Sequence, residues 1–266
     1  MSDTIAPEPV LLVEKGDGVA IFTLNRPRAM NSVNGALATA LGNALEDAAA
    51  DDDVRVVVIT GAGERAFCAG MDLKAFAAGE SVEPEGHPEW GFAGIARHVI
   101  DKPVIAAVNG FALGGGTELA LSTDLIVADE QAAFGLPEVL RGLFAAGGGV
   151  LRIAQQLPPR VATELVLTGR HMPAEEALRL GLINEVAPAG TALERALVLA
   201  GKIVAAAPLS IAVSKSLMRR SALADTWGEE PWEWNEEALG AIFASADAQE
   251  GASAFAEKRP PVWTGR

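Results

Sequence analysis

A single cysteine, Cys68, stands in a chain of 266 residues. No internal disulfide framework is therefore possible, and a reducing compartment is the natural setting. Histidine is scarce as well: His87, His98 and His171 are the only three, too scattered for the ligand spacings of a metal site. Cations are in deficit, 21 Lys and Arg against 35 Asp and Glu, for a net charge of -14. Grip on nucleic acid or anionic lipid needs clustered Lys and Arg, so neither is an expected partner, while isolated basic spots still suffice for an anionic cofactor. No uninterrupted apolar run is long enough to span a bilayer. The opening MSDTIAPEPV lacks the basic and apolar pattern of a signal peptide. These absences lead to the expectation of a soluble, cytoplasmic protein.

What is present is ordinary globular composition, 50% hydrophobic and 21% charged, at a length that suits one large domain or a domain with an appended helical segment. After an acidic, Pro-bearing lead-in, Val10 to Val13 and Val19 to Leu24 read as strands joined by the turn Gly16-Asp17-Gly18. Leu37, Leu41, Leu45 and Ala48 recur at helical spacing between Asn34 and Asp51, and the apolar run Val54 to Thr60 follows as a buried strand. The order continues with Pro103 to Val108 and Leu125 to Ala128 as strands, a helix starting at Gly115, and a helical turn at Pro137 to Leu140. Such alternation predicts an α/β core with largely parallel pairing. From about Gly147 onward helices take over, with Pro158, Pro173 and Pro208 near their starts and a short strand near Asn184 to Val186. The segment Gly79 to Gly91 is rich in Gly, Pro and acid, has no apolar period, and is expected to be a mobile loop beside a binding site.

Three stretches carry chemistry. In Ala66 to Leu73 a strand passes through small residues into a helix, leaving backbone N–H groups free to face a developing oxyanion, although on this segment alone the capping preference favours Asp72 as simply the cap of the helix at Leu73. In Asn109 to Ala120 three consecutive glycines, Gly114 to Gly116, precede an apolar helix; they permit close approach of a ligand and favour an anion or enolate oxygen near Gly115. Neither the P-loop ending nor the Rossmann spacing is there to make this a phosphate site. In Phe134 to Val139, Pro137 fixes a turn that sets Glu138 at a helix start. Taken singly, Glu118 and Glu138 are acids of the first helical turn, favoured by the helix dipole. Two of them, each beside a glycine-bearing turn, suggest paired acid/base work. Cys68 reads as a packing residue, and Asp124 as structural.

These stretches resemble the enoyl-CoA hydratase/isomerase family, the crotonases. The matching residues are Asn25-Arg26-Pro27 with Asn31, Phe67 to Leu73, Asn109 to Glu118, Phe134 to Glu138, Arg170 to Gly181, Leu182-Ile183-Asn184, and Glu250-Gly251 to Lys258-Arg259, in the family's order along nearly the whole chain. The resemblance implies a spiral of ββα units over residues 1–200 and a helical oligomerisation region over residues 201–266, assembling a homotrimer or a dimer of trimers. It implies that the amides of Met71 and Gly115 form an oxyanion hole for an acyl-CoA thioester, with Glu118 and Glu138 as the two hydratase carboxylates. Arg28, Ala29, Ala69, Asp72 and Leu73 are expected around the adenine end of coenzyme A, and Lys258 at one of its phosphates. No metal or separate cofactor is expected, coenzyme A being part of the substrate.

Departures from the family pattern bear on the acyl group. Leu143 to Val150 replaces the segment that many hydratases write Pro-Gly-Ala-Gly-Gly-Thr, so Phe144 and Val150 are expected to reshape the acyl pocket. Met71 stands where a smaller residue is common, with a flexible side chain able to adapt to the pocket wall. One scaffold of this kind hosts several reactions. The pair of acids points to an enoyl-CoA hydratase; a hydroxyacyl-CoA dehydratase, an enoyl-CoA isomerase and a non-catalytic acyl-CoA-binding protein are the alternatives.

Overall fold

The computed structural model describes residues 8–266; residues 1–7, most of the acidic lead-in, lie outside the described residues. β1 (Leu11–Gly16) and β2 (Val19–Leu24) form a hairpin in which Gly16 faces Val19. Its two-residue turn holds Asp17 at φ 52° and Gly18 at φ 77°, the pair of positive values that an Asp-Gly hairpin turn requires. α1 (Gly35–Ala50) starts where the Asn34 side chain accepts the Leu37 N–H at 3.1 Å, and buries Leu37, Leu41, Leu45 and Ala48, the residues of the sequence period.

From there the chain climbs in a repeated step. β3 (Val56–Gly61), β5 (Val104–Val108) and β7 (Leu125–Asp129) run parallel in one large sheet, of order β1-β2-β3-β5-β7-β10, with β10 (Glu185–Ala187) at its far edge. Each of the three central strands is followed within a few residues by a short strand of a second sheet: β4 (Ala66–Cys68), β6 (Phe111–Leu113) and β8 (Ala133–Gly135). These three are mutually parallel neighbours, and β9 (His171–Pro173) closes the edge antiparallel to β8. This is the ββα spiral implied by the resemblance. The residue-level reading had one strand per step. It missed the second sheet because runs of three residues carry no period to detect.

Every position of β3 and β5 is buried, as a parallel sheet covered on both faces requires. Alternation divides the sheet between two cores. Val57, Ile59, Ala106 and Val108 face α1 and the site, packed with Phe22, Phe67 and Phe134. Val56, Val58, Ile105 and Ala107 face α7 (Ala192–Val204) through Ala196 and Ala200. A boundary after residue 200 therefore falls inside α7, and the change in packing comes after Val204.

Beyond it, α8 (Pro208–Ser221) and α9 (Glu229–Phe243) bury no residue, and α10 (Ala246–Glu257) buries only Asp247 and Ala254. The last residues return to the core. The buried Asp247 carboxylate accepts the N–H groups of Thr264 at 2.7 Å and Gly265 at 3.0 Å, and the Trp263 indole donates to the Ala205 carbonyl at 2.8 Å. Among the described residues no single helix is long and apolar enough to cross a membrane.

The end of the segment Gly79 to Gly91 departs from the mobile loop expected there. Pro88–Trp90 is a 3-10 turn, and Trp90 is buried against Gly42 of α1. Trp90 is sandwiched between His87 at 3.9 Å and His98 at 4.6 Å, so two of the three histidines are packing partners. A large aromatic followed by a glycine was the signal of this anchor.

Candidate active site

Adjacent parallel strands end side by side, so whatever follows β4, β6 and β8 must meet at one edge of the small sheet. Met71 comes three residues after β4, Gly115 two after β6 and Glu138 three after β8. Met71 forms an isolated parallel bridge with Val33 in which Val33 N–H donates to the Gly70 carbonyl and Asp72 N–H to the Val33 carbonyl, both at 2.8 Å. That pairing turns the Met71 amide to the opposite side, where it meets no acceptor among the described residues. Gly115 opens α3 (Gly115–Ala120), so its N–H has no intrahelical acceptor. The two donors are brought together by glycines. A Cβ on Gly70, whose φ is 87°, would come 2.8 Å from both the Gly115 nitrogen and the Leu113 oxygen, and a Cβ on Gly116 would collide with the Cys68 carbonyl.

The acids arrive from either side of the same turn. Thr117 fixes α3 to the second sheet: its hydroxyl donates to the Ala112 or Gly135 carbonyl, at 2.6 and 2.9 Å, and accepts the Gly135 N–H at 3.0 Å. This sets Glu118, the next residue, against the chain that leaves β8 through Pro137 to Glu138. The Glu138 carboxylate lies over Gly114, where its Oε1 would be 3.1 Å from an added Cβ. Its Oε2 is buried and has no hydrogen-bond partner among the described residues, an arrangement that ordinarily costs about 1–3 kcal/mol and that calls for an explanation.

Glu118 is only 4% exposed, and its Oε1 accepts the Gly149 N–H at 2.8 Å from the start of α4 (Gly149–Gln156). Burial pushes its carboxyl up to about 7; the Gly149 N–H opposes the shift, the nearby Glu138 charge adds to it, and the Gly147 N–H and the Arg152 charge oppose it. Burial also raises Glu138, opposed by its own backbone N–H and the charge of Arg141. Two carboxyls held above their usual range, beside two free amides, can share a proton and hand it to and from a bound carbon chain.

Two groups at this site escaped the sequence reading. Phe92 presses its ring against Gly115 and its Cβ against Gly147, so that a Cβ at either glycine would meet it. The chain that carries it is strained, with Gly91, Ala93 and Gly94 at φ 71°, 59° and 71°. Arg152, on α4, donates to the Gly147 carbonyl at 3.3 Å and to the Ala96 carbonyl. Gly91 flagged the turn before Phe92, whereas nothing local marked Arg152.

The residues expected around coenzyme A assemble on the other side of Met71. Arg28 and Ala29 lie in a 3-10 turn, Pro27–Ala29, to which Ala69 is tied by its N–H on the Met30 carbonyl at 3.0 Å. Asp72 caps α2 (Leu73–Ala77) by accepting from Lys74 N–H and Ala75 N–H, and pairs with Arg26 at 2.8 Å, while Leu73 is exposed. The Asp72 side chain thus has the structural role weighed from the sequence. Lys258 is the left-handed cap of α10 at φ 55°, exposed, and makes no side-chain contact with the acids among the described residues. Phe144, expected in the acyl pocket, is 68% exposed, while Val150 packs on the core. Cys68 is a free thiol pushed up to about 12 by burial, which removes it as a nucleophile. Asn31 and Asn109, two of the family-pattern residues, are backbone staples: Asn31 Nδ2 donates to the Ala62 and Ala66 carbonyls, Asn109 Nδ2 to those of Gly61 and Gly63. Among the described residues no cluster of His, Cys, Asp or Glu could hold a metal ion.

The chain is similar to known proteins along most of its length. Residues 14–266 match the family model described as enoyl-CoA hydratase/isomerase. A carnitinyl-CoA dehydratase from Salmonella typhi is 46% identical over 250 residues, spanning 92% of this chain and 94% of that protein. The crystal structure of an enoyl-CoA hydratase from Mycobacterium tuberculosis superposes with a TM-score of 0.92 at 47% identity, covering 97% of this chain and 100% of that one. That of a carnitinyl-CoA hydratase from Mycobacterium avium gives 0.79 at 55% identity, covering 98% and 100%.

Proposed function

The chain belongs to the enoyl-CoA hydratase/isomerase family, is of the crotonase hydratase/dehydratase type, and from that premise we propose that it adds and removes water reversibly across the 2,3 double bond of an enoyl-CoA thioester. The observation that carries this reading is the pair of carboxyls, the buried Glu118 and the half-buried Glu138, both raised above the usual carboxylate range, flanking the Met71 and Gly115 amides. The thioester oxygen accepts from both amides. Glu118 takes a proton from water as the water oxygen bonds to Cβ, electrons move to the thioester oxygen, and Glu138 delivers its proton to Cα. Return of the proton from Glu118 to Glu138 resets the pair, and elimination runs the same steps backwards. Two such donors lower the barrier to the enolate by roughly 3 kcal/mol each, and each positioned carboxyl contributes about 10²- to 10⁴-fold.

The carnitinyl-CoA enzymes among the relatives favour a second reading of the acyl group. Dehydration of a 3-hydroxyacyl thioester and hydration of the corresponding enoyl thioester are one reaction in two directions, so the same pair of acids serves both. We further propose that the active species is a homotrimer or a dimer of trimers, on the support of the unburied C-terminal helices.

The test is absorbance of the conjugated thioester on mixing with crotonyl-CoA, longer 2-enoyl-CoA esters and carnitinyl-CoA. Glu118→Gln and Glu138→Gln are each expected to cut kcat by about 10²-fold or more with little change in KM. The rate is expected to rise with pH through about 7, where Glu118 ionises. Near wild-type hydration in either single variant would defeat the two-acid mechanism. Binding without turnover of any ester would favour an acyl-CoA-binding protein.

A further inference from the structure

Glu118 is held by a turn, and the turn is itself held by one side chain. The Gly149 N–H that reaches Glu118 belongs to Gly147-Gly148-Gly149, of which Gly147 also packs against the Glu118 carboxylate. Gly148 adopts φ 104°, and the Arg152 guanidinium rests against it so closely that any Cβ would collide. From there Arg152 Nη1 donates to the Gly147 carbonyl and Nη2 to the Ala96 carbonyl, in the segment that carries Phe92 to Gly115. One planar fork thus ties the two backbone segments that wall the acids, which a lysine, with a single nitrogen, does not reproduce. Arg152 is partly buried and makes no direct ion pair among the described residues; the charges that act on it are Glu118, attractively, and Arg219 of α8, repulsively. The charged groups facing Glu118 are Glu138 and Arg152.

We propose that Arg152 is a positioning residue for Glu118: its guanidinium locks the Gly147–Gly149 turn onto the Ala96 carbonyl and keeps a positive charge beside the carboxylate that accepts the water proton. The inference rests on the reading of Glu118 as that acceptor. Removing the cation leaves burial and Glu138 less opposed, so Glu118 would ionise at higher pH.

The experiment follows the carboxyl itself, by carbon NMR of protein labelled at the glutamate carboxyl carbon, with Glu118→Gln identifying the resonance, alongside pH profiles of kcat and KM. Arg152→Gln is expected to move the Glu118 titration up by about one pH unit and to lower kcat at neutral pH by about tenfold, with KM changed less than about twofold. Arg152→Lys, which keeps the charge, is expected to restore the titration and the acid limb of the profile but not the full kcat. An unmoved Glu118 titration in Arg152→Gln, or full kcat in Arg152→Lys, overturns the proposal. If Arg152→Gln does not fold, Arg152→Lys alone decides by its kcat at the pH optimum. A wild type without turnover whose Glu118 titration still moves in Arg152→Gln would sink the hydratase reading and leave the link between Arg152 and Glu118 standing.

Discussion

The spiral core and the C-terminal helices spend their apolar residues in opposite ways. In the core, Phe22, Phe67 and Phe134 are almost wholly buried, and every residue of β3 and β5 is enclosed. In and around α8, α9 and α10, Met218, Leu223, Trp227, Phe243 and Phe255 are all more than two thirds exposed, up to 94% at Trp227. The core completes itself within one chain. The helices carry large apolar side chains among many charged ones and leave them uncovered, and polar bonds through Asp247, Trp263 and the Arg55 bond to the Trp263 carbonyl help hold them to the chain. The largest effect that sharpens this contrast is Phe67→Ala, which empties a fully buried site between the sheets and the oxyanion segment. It is expected to cost about 3–5 kcal/mol, read by urea unfolding and independent of protein concentration.

Within the core, the site end is the exception, because it buries a carboxyl, Glu118, pushed well above its usual range. Glu118 has a folded value of about 7 against an unfolded value near 4.3. Being raised on folding, it contributes stability that is fully present below the unfolded value and lost as pH rises through about 7. Glu118→Gln is therefore expected to unfold at higher temperature than wild type above pH 7, by about 3 kcal/mol in stability, and to lose that advantage near pH 4. Coincident wild-type and variant melting curves at pH 8 would mean that Glu118 is better solvated than its burial indicates.

That exception also marks what could be read from the sequence. The first five strands of the large sheet and α1 were legible because they run for five residues or more, and the Asp17-Gly18 turn because its chemistry admits few alternatives. The second sheet was not, its strands being three residues each, and with it went the reason that Met71, Gly115 and Glu138 meet. The resemblance supplied the pairing of Glu118 with Glu138, and the ends of β4, β6 and β8 supply its cause. Phe92 and Arg152 were invisible for a different reason. Phe92 presses on Gly115 and Gly147, 23 and 55 positions away, and Arg152 on Gly148, four away, and a glycine seen in sequence does not show what presses on it.

The smallest expected effect on stability tests the other side of the contrast. If the helices are built to be covered by further copies of this chain, replacing Leu223, Trp227 and Phe243 by Ser should barely touch the chain's own folding, within about 0.5 kcal/mol per site, as for surface positions elsewhere. The change should appear in assembly. Light scattering is expected to give a trimer or a pair of trimers for wild type and a lower mass for the triple variant, with wild-type melting dependent on concentration. A monomeric wild type would break the comparison, since the helices would then be an exposed apolar surface in their own right. A triple variant that melts far below wild type at equal mass would break it differently, by showing that these side chains serve their own chain's fold.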